Sequence, residues 1–253
     1  MGQGNIKALK NTLESFKWVC NEVIFGDLLI FDHDRPLLES YQSEYNLKIV
    51  SLPFNHIFIN GFAETLNELS SYSSNDHVIY MNIGEIMDSE FRGLDPAFDA
   101  YCFDHAEDPH KWHRCYNRHK FKWSGPIHEE IVGQGGKSND PIFRMRDTEK
   151  DIDNAFYSKV MNDIKELTYF NNYMKILDPS KREGCNEGWV KWVNEQTPQM
   201  IDRLESKGKR YEAFKTGDKQ MYLDDILFNY EFEKERMESN ELINFQGNRM
   251  LLG

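Results

Sequence analysis

Helical and extended apolar patterns alternate in the first third of the chain. Apolar residues three and four positions apart predict a first helix with one buried face, at Ile6, Leu9, Leu13 and Phe16. Short apolar runs at residues 22–25, 47–52 and 77–80 predict strands. Further helices are predicted from Pro36 and over residues 61–71. This order of helices and strands is typical of right-handed crossovers in a mostly parallel sheet.

Aromatic residues and glycines dominate the middle of the chain. Residues 111–116 and 120–123 predict two short strands, joined by a turn at residues 117–119. Residues 133–141 have the composition of a mobile loop, because glycine and small polar residues crowd there.

The last third of the sequence has helical patterning throughout. Amphipathic spacing predicts helices over residues 152–167, from Trp189 onward and over residues 222–239. We therefore expect an α/β fold with a mostly parallel sheet flanked by helices in residues 1–145. Residues 146–253 are expected to form a helical C-terminal extension.

The overall charge and the cysteine content narrow the class of protein. A net charge of -12 and a pI near 5.2 argue against broad capture of nucleic acid or anionic membrane. No apolar run approaches the roughly 20 residues that span a bilayer, and no signal sequence opens the chain. The four cysteines lack paired short spacings, as expected of reduced thiols. We expect a soluble cytoplasmic protein.

The predicted strand at residues 77–80 ends in the tetrad Asn82-Ile83-Gly84-Glu85. Open α/β sheets bind ligands outside the carboxyl ends of their strands. A carboxylate at a strand end is therefore a candidate binding residue. A strand that simply runs into a glycine turn explains the same four residues.

Several short motifs lie in a fixed order between Asn5 and Ile131. A strand that ends at Asp27 is followed by a helix that carries the motif Phe-Ala-x-x-x-Asn, from Phe62 to Asn67, and then by the tetrad. Arg114-Cys115-Tyr116-Asn117-Arg118 and Gly125-Pro126-Ile127-His128-Glu129 come next. Together these elements resemble the family 2 glycosyltransferases with a GT-A (Rossmann-like) fold, whose R-x-(F/Y)-x-(N/R) and G-x-I-H-E elements they match.

The resemblance implies transfer of a sugar from a nucleotide-sugar donor to a hydroxyl-bearing acceptor, which could be a saccharide, a protein or a modified nucleobase. It implies that the nucleotide contacts Asp27, Asn67 and Asn82. Arg114 and Arg118 would meet the diphosphate, since arginine forks match phosphate oxygens.

The same resemblance assigns the chemical step. His128 and Glu129 would lie near donor and acceptor, with Glu129 as the base. Glu85 would be the ligand of a divalent metal, Mn or Mg, since hard cations prefer carboxylate oxygen.

Two departures from the family pattern bear on activity. Asn82 and Gly84 replace both aspartates of the usual acidic turn, and this puts metal dependence in doubt. The family also opens with an apolar strand that lines the base pocket, whereas residues 1–5 directly precede the first helix here. The alternative is therefore a catalytically degenerate GT-A-like binding protein that has lost the metal-binding turn.

Histidines and cysteines crowd between Cys102 and His128 and suggest a rival site. His110 and His113 have a spacing found in zinc sites. However, residues three apart on a strand point to opposite faces, and no Cys-x-x-Cys accompanies them. The sequence disfavours zinc.

Overall fold

A computed structural model describes residues 2–3, 6–29, 34–106, 108–125, 130–147, 155–182 and 187–232. Strands and helices alternate in the amino-terminal part. The first elements are β1 (Gly2–Gln3), α1 (Ile6–Phe16), β2 (Val23–Leu29), α2 (Arg35–Glu44), β3 (Leu47–Ser51), α3 (His56–Asn60), α4 (Phe62–Ser71) and β4 (His77–Ile79).

Strands dominate the middle of the chain, and helices follow. The strands are β5 (Glu85–Met87), β6 (Ala100–His105), β7 (Asp108–Asn117), β8 (Phe121–Ser124), β9 (Glu130–Gly133), β10 (Lys137–Ser138) and β11 (Arg144–Asp147). The helices are α5 (Ala155–Lys175), α6 (Glu187–Ser206), α7 (Lys209–Thr216) and α8 (residues 219–232).

The described strands form three sheets, of which one is parallel, one is mixed and one is antiparallel. β1, β2 and β3 pair in parallel. A second sheet has the order β4-β7-β6-β11-β5, with β10 beside β6, and combines parallel and antiparallel pairs. β8 and β9 form a hairpin. The prediction of a mostly parallel sheet therefore holds only for β1 to β3. The link between β6 and β7 is too short for a crossover, so this pair is antiparallel.

The strongest local patterns predicted their elements correctly. The apolar face of α1 is buried, with Ile6, Leu9, Leu13 and Phe16 all at most 5% exposed. α4 to α6 also form where the spacing predicts helices. The predicted mobile loop at residues 133–141 contains a strand, β10, which pairs with β6. The apolar spacing did not indicate α3, because five residues are too few to show a period.

The C-terminal helices pack against α3 and the segment before it. The rings of Phe54 and Phe58 contact Phe214 of α7, with centroids 4.5 and 5.5 Å apart, respectively. Tyr222 of α8 completes this cluster. The helical extension is therefore joined to the sheet-bearing part through a shared aromatic core. β11, the last strand, ends two residues beyond the predicted boundary at residue 145.

In the part of the chain that the structure describes, every helix is too short or too polar to cross a lipid bilayer.

Candidate functional site

Asp27 lies near the carboxyl end of β2 and is 6% exposed. Its carboxylate forms an ion pair with the guanidinium of Arg35, at the start of α2. The Arg35 side chain is more open to solvent, at 36% exposed. A buried acceptor thus stands beside a half-exposed cation at a strand end, which is the place where open α/β sheets bind ligands.

A polar cavity of about 450 Å³ opens at the ends of β2 and β3. Asp27 and Arg35 line one side, and Thr216, Gly217 and Lys219 of the helical extension line the other. The Asn55 side chain joins the two sides, since its Nδ2 donates a 2.8 Å hydrogen bond to the Phe214 carbonyl. The helical extension therefore forms part of the wall of this cavity.

The tetrad of residues 82–85 forms a tight turn between β4 and β5. The amide of Glu85 donates to the carbonyl of Asn82 at 3.2 Å. Gly84 has φ 93°, a conformation that residues with a side chain rarely adopt. Its amide donates to Thr12 Oγ1 of α1 at 3.0 Å. Glycine therefore occupies this position for a backbone reason.

Both oxygens of Glu85 are occupied by protein donors. Asn82 donates from its backbone N at 2.7 Å and from its Nδ2 at 2.8 Å. Nη1 of Arg114 lies 2.9 Å from each carboxylate oxygen. Since Glu85 is 5% exposed, this is a buried and well-satisfied ion pair.

The side chain of Arg114, a residue of β7, lies between two aromatic rings. Its guanidinium carbon lies 5.4 Å from the Tyr80 ring centroid and 5.7 Å from that of Phe103. The Tyr80 hydroxyl also donates to Oδ1 of Asn82 at 2.6 Å. The structure thus brings three predicted site residues together, namely Asn82, Glu85 and Arg114.

Arg118 lies apart from this group. Its Nε donates to the Asn75 carbonyl at 2.8 Å, beside the amino end of β4, whereas Arg114 lies at the carboxyl end. Four residues along a strand span roughly 13 Å. The two arginines therefore do not converge on one diphosphate in this arrangement.

Asn67 also lies outside the cavity at the strand ends. Its Oδ1 accepts from the Trp123 amide at 2.8 Å, and its Nδ2 donates to the Trp123 carbonyl at 2.9 Å. The side chain therefore attaches β8 to α4. Contact of Asn67 with a nucleotide stays a prediction, and it requires these bonds to open. His128 and Glu129, the predicted catalytic pair, lie outside the described residues.

The described residues contain one group with the composition of a metal site, formed by Glu85, His105 and Asp147. The ligand atoms lie within 4.8 Å of one another. The guanidinium of Arg114, however, already neutralises Glu85, so the arrangement does not fit a divalent cation. Binding of Mn or Mg at Glu85 stays a prediction, and it requires Arg114 to release the carboxylate.

The side chain of His110, one of the two histidines in the zinc-like spacing, lies outside the described residues, so the prediction against zinc stays a prediction. Nε2 of His113 contacts the Ser138 carbonyl at 3.0 Å, and burial lowers the pKa of His113. Burial raises the pKa of the Cys20 thiol to about 11 and that of Cys115 to about 12. These thiols are therefore protonated, and poor nucleophiles, near neutral pH.

No protein-family model and no curated protein matches this chain.

Arg35 and Lys219, the two cations of the cavity, were missed by the sequence analysis. Arg35 carries a weak local signal, because it precedes Pro36 at the predicted start of a helix. Lys219 carries none. It is about 190 residues from Asp27, and only the packing of the helical extension brings it to the cavity.

Proposed function

We propose that this protein binds a nucleotide-sugar donor at the carboxyl ends of β2 and β3 and transfers the sugar to a hydroxyl-bearing acceptor. One observation carries the proposal. The buried carboxylate of Asp27, paired with Arg35, lines a polar cavity that also includes Lys219. A carboxylate accepts hydrogen bonds from a base or a ribose, and cations favour a diphosphate. The GT-A-like architecture that the sequence resembles is part of this proposal.

Glycosyl transfer has two chemical requirements. The acceptor oxygen forms a bond to the anomeric carbon while the bond from that carbon to the diphosphate oxygen breaks. The leaving diphosphate gains negative charge, which Arg35 and Lys219 would stabilise. The acceptor hydroxyl loses a proton, and we assign this proton to Glu129, with His128 beside it.

Thermal denaturation with a panel of nucleoside diphosphates and nucleotide sugars tests donor binding. A ligand at 100 times its Kd stabilises the native state by about 2.7 kcal/mol. We expect one donor to raise the melting temperature of the wild-type chain. Asp27→Asn and Arg35→Met should abolish this shift. Asp202→Asn, an exposed change on α6, is the matched control and should retain it.

Each titration is repeated with Mn and with Mg. A shift that needs metal would indicate that Arg114 releases Glu85 when donor binds. A shift in melting temperature without metal would indicate that Arg35 and Lys219 alone compensate the negative charge of the leaving diphosphate. Absence of a shift with every donor, metal present or not, would contradict the proposal.

A non-catalytic binding protein is the second candidate. The occupied carboxylate of Glu85 and the backbone requirement for glycine at position 84 favour it. Slow hydrolysis of a bound donor distinguishes the two candidate functions. It is measured by chromatography of the released nucleoside diphosphate. Transfer predicts hydrolysis that Glu129→Gln abolishes without loss of donor binding. Binding without any hydrolysis would select the second candidate.

A further inference from the structure

Five aromatic side chains form a row that joins α4 to the helical extension. The row runs from Phe62 of α4 through Tyr169 and Tyr173 of α5 to Trp189 and Trp192 of α6. The ring centroids of Phe62 and Tyr169 lie 5.5 Å apart. Those of Tyr173 lie 6.4 Å from Tyr169 and 6.4 Å from Trp189. The aromatic row is therefore continuous across three helices.

Successive rings of the aromatic row have similar orientations. The planes of Phe62 and Tyr169 are inclined by 36°, those of Tyr169 and Tyr173 by 34°, and those of Tyr173 and Trp189 by 22°. At centroid distances of 6.4 Å the rings are offset, so neither ring covers the whole face of its neighbour. The ring of Trp192 is inclined by 84° to that of Trp189 and forms a wall at the end of the row.

The aromatic row is more exposed than the aromatic residues of the protein core. Its first four side chains are half-buried, and Trp192 is 40% exposed. Core aromatic residues such as Phe103, Phe143 and Phe214 are at most 2% exposed. The row thus leaves aromatic surface in contact with water, and contiguous exposed surface of this kind marks binding sites.

The helices hold the row in a fixed arrangement. Ile176 of α5 and Val193 of α6 are buried together, and Tyr173 packs against this pair. Lys175 Nζ donates a 2.9 Å hydrogen bond to the Phe58 carbonyl and so fixes α5 to the end of α3. A ligand would therefore meet a preorganised surface, which lowers the conformational entropy lost on binding.

The charges beside the row disfavour a nucleic acid. Single strands that stack on aromatic rings also need a positively charged groove. Lys191 of α6 lies 4.0 Å from the Glu195 carboxylate, and Glu187 stands one turn before Lys191. The whole chain carries a net charge of -12. These carboxylates suit hydroxyl groups instead, because a carboxylate accepts hydrogen bonds.

A neutral saccharide matches both the rings and the charges. The faces of a pyranose ring carry C–H groups, which contact the electron-rich face of an aromatic ring. Its hydroxyl groups lie around the edge and remain available to polar groups. A proline-rich peptide instead docks in aromatic-lined grooves, whereas the offset rings here form a continuous surface.

We propose that the aromatic row binds a neutral saccharide chain, with successive sugar units on successive rings. That this chain is the hydroxyl-bearing acceptor rests on the proposed function. α3, whose five residues span about 7.5 Å, is the element between Asn55 in the wall of the polar cavity and Phe62 at the start of the row. A saccharide that extends beyond Phe62 therefore approaches the cavity.

Isothermal titration calorimetry without donor tests the saccharide surface. The probes are cellohexaose, maltohexaose and chitohexaose, and we expect the wild-type chain to bind at least one of them. Trp189→Leu removes a ring face and should raise the Kd by about tenfold or more. Trp192→Leu, at the exposed end of the row, should weaken binding in the same direction. Trp189→Tyr restores an aromatic face and should restore most of the affinity.

Trp18→Leu is the matched control. Trp18 is 87% exposed and follows α1, outside the row, so its loss should leave the Kd unchanged. Equal Kd values for Trp189→Leu, Trp192→Leu and Trp18→Leu would overturn the proposal, as would absence of binding to all three hexasaccharides. Decaproline is titrated in the same way. Binding of decaproline in place of the saccharides would assign the row to a proline-rich peptide and overturn the proposal.

Elongation tests the assignment of the saccharide as acceptor. The hexasaccharide that binds is incubated with the donor found by thermal denaturation, and mass spectrometry detects the lengthened product. Trp189→Leu should raise the KM for the saccharide by about tenfold and leave kcat nearly unchanged, because the row contributes binding rather than chemistry.

The two proposals fail in different ways. Binding of both ligands without elongation would overturn the acceptor assignment. Donor binding without saccharide binding would overturn the saccharide surface and leave the proposed function standing. Saccharide binding without binding of any donor would contradict the proposed function, and the acceptor assignment with it, but would support the saccharide surface.

Discussion

Nη1 of Arg114 on β7 lies 2.9 Å from both carboxylate oxygens of Glu85, at the start of β5. The two side chains are only 14% and 7% exposed, respectively. This ion pair connects the start of β5, at one edge of the mixed sheet, to β7, the second strand from the other edge. It also determines what the predicted metal ligand can do, because a cation at Glu85 competes with the guanidinium.

Loss of Arg114 should therefore destabilise the protein strongly. Removing one partner of a buried ion pair leaves the other charge uncompensated, and we expect Arg114→Met to lower the free energy of unfolding by about 3 kcal/mol. Arg146→Met, which breaks a pair between exposed side chains of Arg146 and Asp88, should cost less than about 1 kcal/mol. Urea denaturation measures both. Equal losses for the two variants would contradict a buried role for Arg114.

The stability of Gly84 variants should depend on how readily each replacement residue adopts a positive φ. At φ 93°, alanine is strained, and we expect Gly84→Ala to cost about 1–2 kcal/mol. Asparagine enters positive φ more readily, so Gly84→Asn should cost less. Thermal melts compare the variants. A Gly84→Ala protein as stable as the wild type would show that the turn does not require glycine.

The Asn67 side chain should stabilise the packing of α4 against β8. Asn67→Ala leaves the Trp123 amide and carbonyl without their partners, and we expect a loss of about 1–3 kcal/mol. Glu64→Ala changes an exposed residue on the same helix and serves as the control. Its unfolding midpoint in urea should stay close to that of the wild type. Should the two variants match, the hydrogen bonds to Trp123 contribute nothing to stability.

His113 should make stability depend on pH. Burial holds its pKa below the usual 6.5 in the folded state. Above pH 6.5 the imidazole is neutral in both states. As the pH falls below 6.5, the unfolded chain takes up the proton first, so the free energy of unfolding falls until the pH reaches the folded pKa.

The measurement is the urea midpoint at pH 7.5 and at pH 5.5. His113→Gln keeps a donor toward the Ser138 carbonyl but removes the titration. We expect the wild type to lose more stability than this variant over that interval. An identical loss in both proteins would assign the pH dependence to other groups.

Local sequence patterns correctly predicted the elements in which buried residues recur at a regular spacing. The buried face of α1 repeats every three to four residues, so its position follows from spacing alone. β5 carries no such period, since its three residues are defined by pairing with β11. Strand order was also beyond the local signal, because the mixed sheet pairs strands that are far apart in the sequence, such as β4 with β7 and β5 with β11.

The candidate site was predicted in part for the same reason. Asp27 and Glu85 follow apolar runs, and a polar residue after a buried strand is visible in the sequence. What these carboxylates contact is not visible there. Arg114 follows Glu85 by 29 residues, and Lys219 belongs to the helical extension. Arg118 and Asn67 matched the motifs equally well, yet the structure directs them to backbone groups elsewhere.

The sequence by itself determined six of the eight described helices, five of the eleven described strands and the carboxylates at the strand ends, because these depend on the period of apolar residues and on strand termination. Only the tertiary structure decided which cation neutralises which carboxylate and which side chains line the polar cavity. These features depend on contacts between residues far apart in the chain, whose partners are selected by packing and charge compensation rather than by spacing.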